Sequence, residues 1–157
     1  MADMLVKLYD LPTISGYSKL TDEGISIHRA LAPDKGEIVE WVRKNFGNHW
    51  ASECDIAFSR QPVSCFISTK DKKVIGFACY ETTYRNFFGP TGVEEIYRGK
   101  GIGKILLLEC LYDMYNLGYA YAFIGGAGPM DFYKKAVNAV LVEGSTPGIY
   151  KNMLSLG

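Results

Sequence analysis

The sequence predicts an α/β fold of the mixed-sheet, α+β kind, with helices packed on the faces of one sheet. Three observations carry this: an alternating strand followed by helical segments, a central block of short β-like runs joined by tight turns, and a closing strand–helix–strand–helix–strand succession.

Residues 24–30, Gly-Ile-Ser-Ile-His-Arg-Ala, alternate apolar and polar side chains as a half-buried strand does. A first helix is expected over residues 33–46. Pro33 suits its opening turn, Asp34 and Glu37 its positive dipole end, and Arg43 and Lys44 its negative end before Gly47. Ile38, Trp41, Val42 and Phe46 supply the inward face. A second helix over residues 50–58 stops ahead of Gln61-Pro62. Residues 64–68 and 74–80 flank the charged turn Asp71-Lys72-Lys73 and form a hairpin signature. Residues 87–93 make a further strand, in which Gly89, Pro90 and Gly92 point to a bulge or a close backbone approach. From Gly103, Leu106, Leu107, Cys110, Leu111, Met114 and Leu117 recur at helical spacing, and Gly118 ends the helix. Residues 119–124 are apolar enough for a strand buried on both faces. A short helix over 130–136 and a strand over 139–142 follow, and the tail around Pro147 to Tyr150 offers one more edge strand.

With 157 residues, 48% of them apolar, the chain has the material for one hydrophobic core, so a single domain over residues 1–157 is expected. Lys+Arg and Asp+Glu number 17 each, and this balance argues against nucleic-acid or membrane-surface partners; any anion site has to be local. The opening Met1–Lys7 has neither a basic stretch nor a long apolar run, and no apolar run reaches the roughly 20 residues of a membrane span. Cys54, Cys65, Cys79 and Cys110 lie 11, 14 and 31 apart, a spacing of neither a metal knuckle nor a redox pair. They are expected as reduced core residues of a cytoplasmic protein that needs no metal.

The segment with chemical character is Arg98-Gly99-Lys100-Gly101-Ile102-Gly103-Lys104, between a strand and a helix. Gly99, Gly101 and Gly103 lack the Cβ that blocks close approach, so their N–H groups can converge on an anion. The helix that starts there adds its own unpaired N–H groups. Arg98, Lys100 and Lys104 concentrate three cations in a chain of zero net charge, and a diphosphate matches that combination. Gly103-Lys104 is followed by Ile105 rather than Ser or Thr, which removes the magnesium hydroxyl of a nucleoside-triphosphate loop. The loop also comes late, after antiparallel strands, where a dinucleotide fold places its glycines in an opening strand–helix unit.

On these residues the chain resembles the GCN5-related N-acetyltransferases. Their Arg/Gln-x-x-Gly-x-Gly/Ala hallmark is met by Arg98, Gly101 and Gly103, and Phe132-Tyr133 is similar to the family's Phe-Tyr pair in the next helix. The likeness covers roughly residues 64–137. It departs where the family commonly has proline, here Glu95, and where an Asn often precedes the last helix, here Gly125 to Gly128.

The resemblance implies a mostly antiparallel sheet with one splayed parallel pair, acetyl-CoA as co-substrate, and transfer to the primary amine of a small molecule or peptide by direct attack. A homodimer is a family-level expectation. The implied cofactor-binding residues are Thr91, Gly92 and Val93 on the strand, Arg98, Gly99, Lys100, Gly101, Ile102, Gly103 and Lys104 in the loop, and Phe132 beyond it. Tyr133 is the expected acid for the departing thiolate, and Glu81, just after the strand over 74–80, the expected base at the acceptor end. Glu94, Glu95, His28 and His49 are secondary candidates for the base. Three rival readings are an acyl-CoA-binding module without transfer, an enzyme acting on a non-amine acceptor, and a purely structural domain that binds no CoA.

Overall fold

Apolar residues that alternate along the strands and recur along the helices leave two sheet faces to cover. The computed structural model, which describes residues 1–154, covers both. The strands are β1 (Met4–Lys7), β2 (Ile25–Arg29), β3 (Cys65–Lys70), β4 (Lys73–Tyr80), β5 (Phe87–Val93), β6 (Tyr121–Ile124) and β7 (Val140–Leu141). The helices are α1 (Tyr17–Asp22), α2 (Lys35–Phe46), α3 (Asn48–Ala57), α4 (Ile102–Asn116) and α5 (Met130–Val137). The sheet runs in the order β2-β3-β4-β5-β6-β1-β7. Every neighbouring pair is antiparallel except β5 and β6.

Alternation along β3 and β4 sorts side chains between the faces. Phe66, Ala78 and Tyr80 join the apolar layer under α4, whereas Cys65, Ile67, Phe77 and Cys79 join the layer under α2 and α3. α4 is buried more widely than its expected stripe. Ile105 and Leu108 are as enclosed as Leu107, because Leu8, Leu11, Ile14 and Leu20 of the N-terminal segment pack against the same layer. Leu117, expected inside, is 58% exposed just past the last turn.

Three features differ from the sequence reading. β1 escapes it, since four residues are too few for a periodicity; its partners β6 and β7 lie at the other end of the chain. Residues Gly148–Tyr150 form a 3-10 turn rather than an edge strand. The fold also gathers Cys54, Cys65 and Cys79, whose sulfurs lie within 4.8 Å of one another in the core, which their sequence spacing does not suggest. Burial pushes the Cys79 thiol well above its ordinary value. Among the described residues no helix is long and apolar enough to cross a membrane.

A polar knot ties the sheet to α4. Asp113 accepts from Arg29 Nη2 at 2.6 Å and from the Tyr80 hydroxyl at 2.7 Å, while Arg29 also donates to the Val63 carbonyl and stacks on Phe66. Burial first, and the Asp113 carboxylate second, hold the Tyr80 phenol above its usual range. The Arg29 and Asp113 side chains are only 32% and 23% exposed, so water screens the pair partially. Asp113→Ala leaves both donors without their acceptor. The expected loss is about 2 kcal/mol, or roughly 4–8 °C in Tm, by thermal denaturation; an unchanged Tm would mean that water replaces the carboxylate at no cost.

Candidate active site

The site begins with a bulge. Ala78 pairs with Thr91 and Tyr80 with Phe88, so Gly89 and Pro90 together face Cys79 alone. An extra residue bends its strand, and here it turns β5 away from β6. The two parallel strands pair at Phe87↔Phe123 and Phe88↔Ile124 only. Beyond Ile124 the chain leaves the sheet, whereas β5 runs on to Val93, and a cleft opens between them.

One edge of β5 therefore faces the cleft unpaired. The Glu94 N–H donates to the Ile75 carbonyl of β4, and because N–H directions alternate along a strand, that of Val93 points the other way, into the cleft. The Val93 carbonyl on that same side accepts Arg98 Nε at 3.0 Å. Gly92 is held by packing: a Cβ there would lie 2.4 Å from Phe46 Cζ. Phe46 in turn stacks on Trp50 at 5.3 Å and leans on Phe77 at 5.7 Å. Gly92→Ala must displace that ring. It is expected to cost about 1–3 kcal/mol by overpacking and to weaken any ligand of the cleft, measured by denaturation and calorimetry side by side.

At the cleft mouth, Gly99 and Gly101 have φ of +82° and +87°, a left-handed backbone that costs other residues about 1–2 kcal/mol each. They deliver the chain into α4 with no side-chain cap on its N-terminus, so the first N–H groups of the helix are left for a ligand. The cleft, about 470 Å³, is lined by Phe46, Trp50, Thr91, Gly92, Val93, Tyr97, the loop residues Arg98, Gly99, Gly101, Ile102, Gly103 and Lys104, and Phe132 and Tyr133 of α5. That volume suits a small-molecule ligand. Lys100 departs from the expected set. Its ammonium turns onto Glu23 Oε1 at 2.6 Å and does not line the cleft, so Arg98 and Lys104 are the cations that do.

On α5, Tyr133, Ala136 and Val137 share the inward face, as their 3–4 spacing requires. Tyr133 packs edge-on against Phe132 and Phe88, with centroids 5.0 and 6.5 Å away. Burial pushes its phenol up to about 12, so the hydroxyl keeps its proton at neutral pH.

A second hollow of about 270 Å³ adjoins the cleft, and Trp50, Thr91, Gly128 and Tyr133 line both. Its remaining walls include His49, Glu53, Thr83, Phe88 and Tyr150. The Thr83 hydroxyl donates to Glu53 Oε2. Burial holds the Glu53 carboxyl above the ordinary range, against the opposing pull of Thr83 and His49. Tyr150 is raised to about 12, chiefly by burial and further by the charges of Glu53 and Asp3. Asp3 itself accepts the Gly126 N–H at 2.9 Å, which ties β1 to the hollow's glycine wall.

Glu81 is not in this site. The residue after β4 takes a left-handed φ of +63°, and its carboxylate folds back to accept the Asn86 N–H at 2.6 Å and the Tyr119 hydroxyl at 3.1 Å. It lines a separate depression with Arg60, Arg85 and Tyr119. Glu53 is the carboxylate that sequence reasoning misses. Its signal is a helical i, i+1, i+4 set with His49 and Trp50 in the second expected helix, though nothing local says which cavity α3 borders.

The chain belongs to the acetyltransferase (GNAT) family, whose model matches residues 26–136. Among solved structures it is similar to the glucosamine N-acetyltransferase region of a fungal multi-domain β-N-acetylglucosaminidase, with 16% identity and a TM-score of 0.71 over 90% of this chain and 19% of that one. It is also similar to a GCN5-related N-acetyltransferase from Sphaerobacter thermophilus, with 19% identity and a TM-score of 0.65 over 90% of this chain and 48% of that one. An aminoglycoside acetyltransferase from an uncultured soil metagenomic sample aligns at 18% identity and a TM-score of 0.54, over 73% of this chain and 88% of that one. The chain thus spans about a fifth and about half of the first two. A search of curated protein sequences finds no match.

Proposed function

We propose that the protein is an N-acetyltransferase that moves the acetyl group of acetyl-CoA to a primary amine by direct attack in a ternary complex. The observation that carries this reading is the junction of the two cavities, where Tyr133 lines both the cleft and the adjoining hollow. A donor and an acceptor seated on either side would meet at one hydroxyl.

The residues present suit acetyl-CoA. The glycine turn and the uncapped start of α4 offer N–H groups to a diphosphate, Arg98 and Lys104 offer charge, and the open edge of β5 at Thr91 and Val93 offers a strand-like partner to an amide-bearing arm. When bound, acetyl-CoA supplies an activated thioester. With the thioester bound, the Val93 N–H on the open edge of β5 would be available to stabilise negative charge on its carbonyl oxygen, an effect worth about 3 kcal/mol in comparable sites. The Tyr133 hydroxyl serves the departing sulfur.

Calorimetry with CoA and a thiol-release assay with acetyl-CoA and an amine panel test the reading. CoA binding together with amine-dependent thiol release is expected. Binding without release would make the domain an acyl-CoA-binding module, and absence of binding would overturn the donor site as well.

A further inference from the structure

The hollow beside the cleft has an uneven chemistry. Glu53 is the sole carboxylate among its described lining residues, and no Lys or Arg lines it. Trp50, Phe88, Tyr133 and Tyr150 make much of the rest of its wall aromatic. The carboxylate is half-buried and already oriented: Thr83 holds Oε2, while Oε1 accepts no hydrogen bond among the described residues.

We propose that Glu53 is the acceptor-site carboxylate, binding the incoming ammonium and taking its proton, and that the hollow selects small primary amines carrying no carboxylate or phosphate. The proposal rests on the acetyltransferase reading for its chemistry, though amine binding stands apart from transfer. An ammonium arriving on Oε1 neutralises a charge that burial would otherwise penalise. An anionic substituent on the same molecule would meet Glu53 with no Lys or Arg to receive it, His49 being the one basic side chain among the described lining residues, and that imbalance is a repulsive element that gives selectivity. The volume of about 270 Å³ equals the liquid share of about nine waters, which sets the size class.

Each proton has a destination. The ammonium gives one proton to the Glu53 carboxylate, which later passes it to solvent. The freed nitrogen lone pair forms the N–C bond as the C–S bond breaks, the sulfur leaving with its electron pair. The second proton, released from nitrogen, ends on the sulfur through the Tyr133 hydroxyl, and the amide keeps the third hydrogen. Burial raises the Glu53 carboxyl and so narrows its gap to an amine of pKa near 10. The groups facing it are His49 from its own helix, Thr83 from the loop after β4, Tyr133 from α5 and Tyr150 from the C-terminal turn.

Two matched pairs test this: tyramine against tyrosine, and glucosamine against glucosamine 6-phosphate. Thiol release is measured for the wild type and Glu53→Gln across pH, with calorimetry for acetyl-CoA and for each amine. The wild type should favour the uncharged-bodied member of each pair at least about 10-fold. Glu53→Gln should lower kcat/KM for the amine about 100-fold or more and remove the acidic limb of the pH profile. An unchanged acetyl-CoA affinity in that variant shows that the fold and the donor site are intact. If it fails to fold, Thr83→Val, which frees the carboxylate without removing it, should raise the amine KM with a smaller fall in kcat. A Glu53→Gln variant with wild-type rates and profile, or preference for the anionic members, overturns the proposal. If the wild type binds acetyl-CoA but transfers to none of the four, the acetyltransferase reading fails alone provided that tyramine or glucosamine still binds in a Glu53-dependent manner; if neither binds, the proposal fails too.

Discussion

Tyr133→Phe is expected to lower kcat about 100-fold while changing the acetyl-CoA dissociation constant by less than about twofold. The substitution removes one oxygen and keeps the ring that packs against Phe88 and Phe132, so neither α5 nor the cleft wall should move. With its phenol at about 12, Tyr133 holds its proton more tightly than a thiol of parent pKa near 8.5 does. In the proposed reaction it would therefore act first as a hydrogen-bond donor to the departing sulfur, with full transfer only as the amine's proton replaces the one given up. The sign for pH is definite. A group raised to about 12 remains protonated through the neutral range, so a basic limb well below that value in the kcat profile belongs to another group. Steady-state rates paired with calorimetry decide the matter, and unchanged turnover in the variant removes Tyr133 from the chemistry.

Lys104→Glu is the second large effect. The side chain lines the cleft on the first turn of α4, is exposed, and has no carboxylate partner among the described residues. Losing one charge-assisted contact to a diphosphate and adding repulsion should cost about 2–3 kcal/mol, which is roughly 30- to 150-fold in acetyl-CoA affinity. Stability should not suffer, because a carboxylate near a helix N-terminus is favourable. Lys100→Glu provides the contrast. It breaks the bridge to Glu23 and leaves the cleft's cations in place, so its expected effect on affinity is several-fold smaller. Equal losses in the two variants would mean that both ammonium groups reach the ligand.

Residues 87–104 are legible in the sequence because the signals there are local. Glycines and proline in the strand point to a bulge or a close backbone approach, and Gly99 and Gly101 mark a loop open to an anion, which the structure builds with left-handed backbone; both depend on a few neighbouring residues. The parallel pair at β5 and β6 is legible through the resemblance that the same residues support. What cannot be read depends on contacts distant in sequence. Lys100 meets Glu23 across the chain, β1 finds its partners at the far end, and α3 acquires its meaning by lying over the end of β5. Glu81 misleads for a related reason. Its place after a strand suggests the acceptor end, but a left-handed turn and two hydrogen bonds commit its carboxylate to holding the loop together.

The order of strands in the sheet has a bearing on how the molecule comes to exist. β1, the first of these seven strands along the chain, sits between β6 and β7, the last two of them. During synthesis β2 to β5 can close as an antiparallel half with β5 as a bare edge, while β1 has no partner until β6 emerges. Such distant pairing is slow to form because a long loop must close first. The cleft is the seam between these two halves, joined across β5 and β6 by only two residue pairs. A ligand seated in it would clamp the seam, and saturating ligand should raise Tm and slow the local opening of β6 before that of β3 or β4.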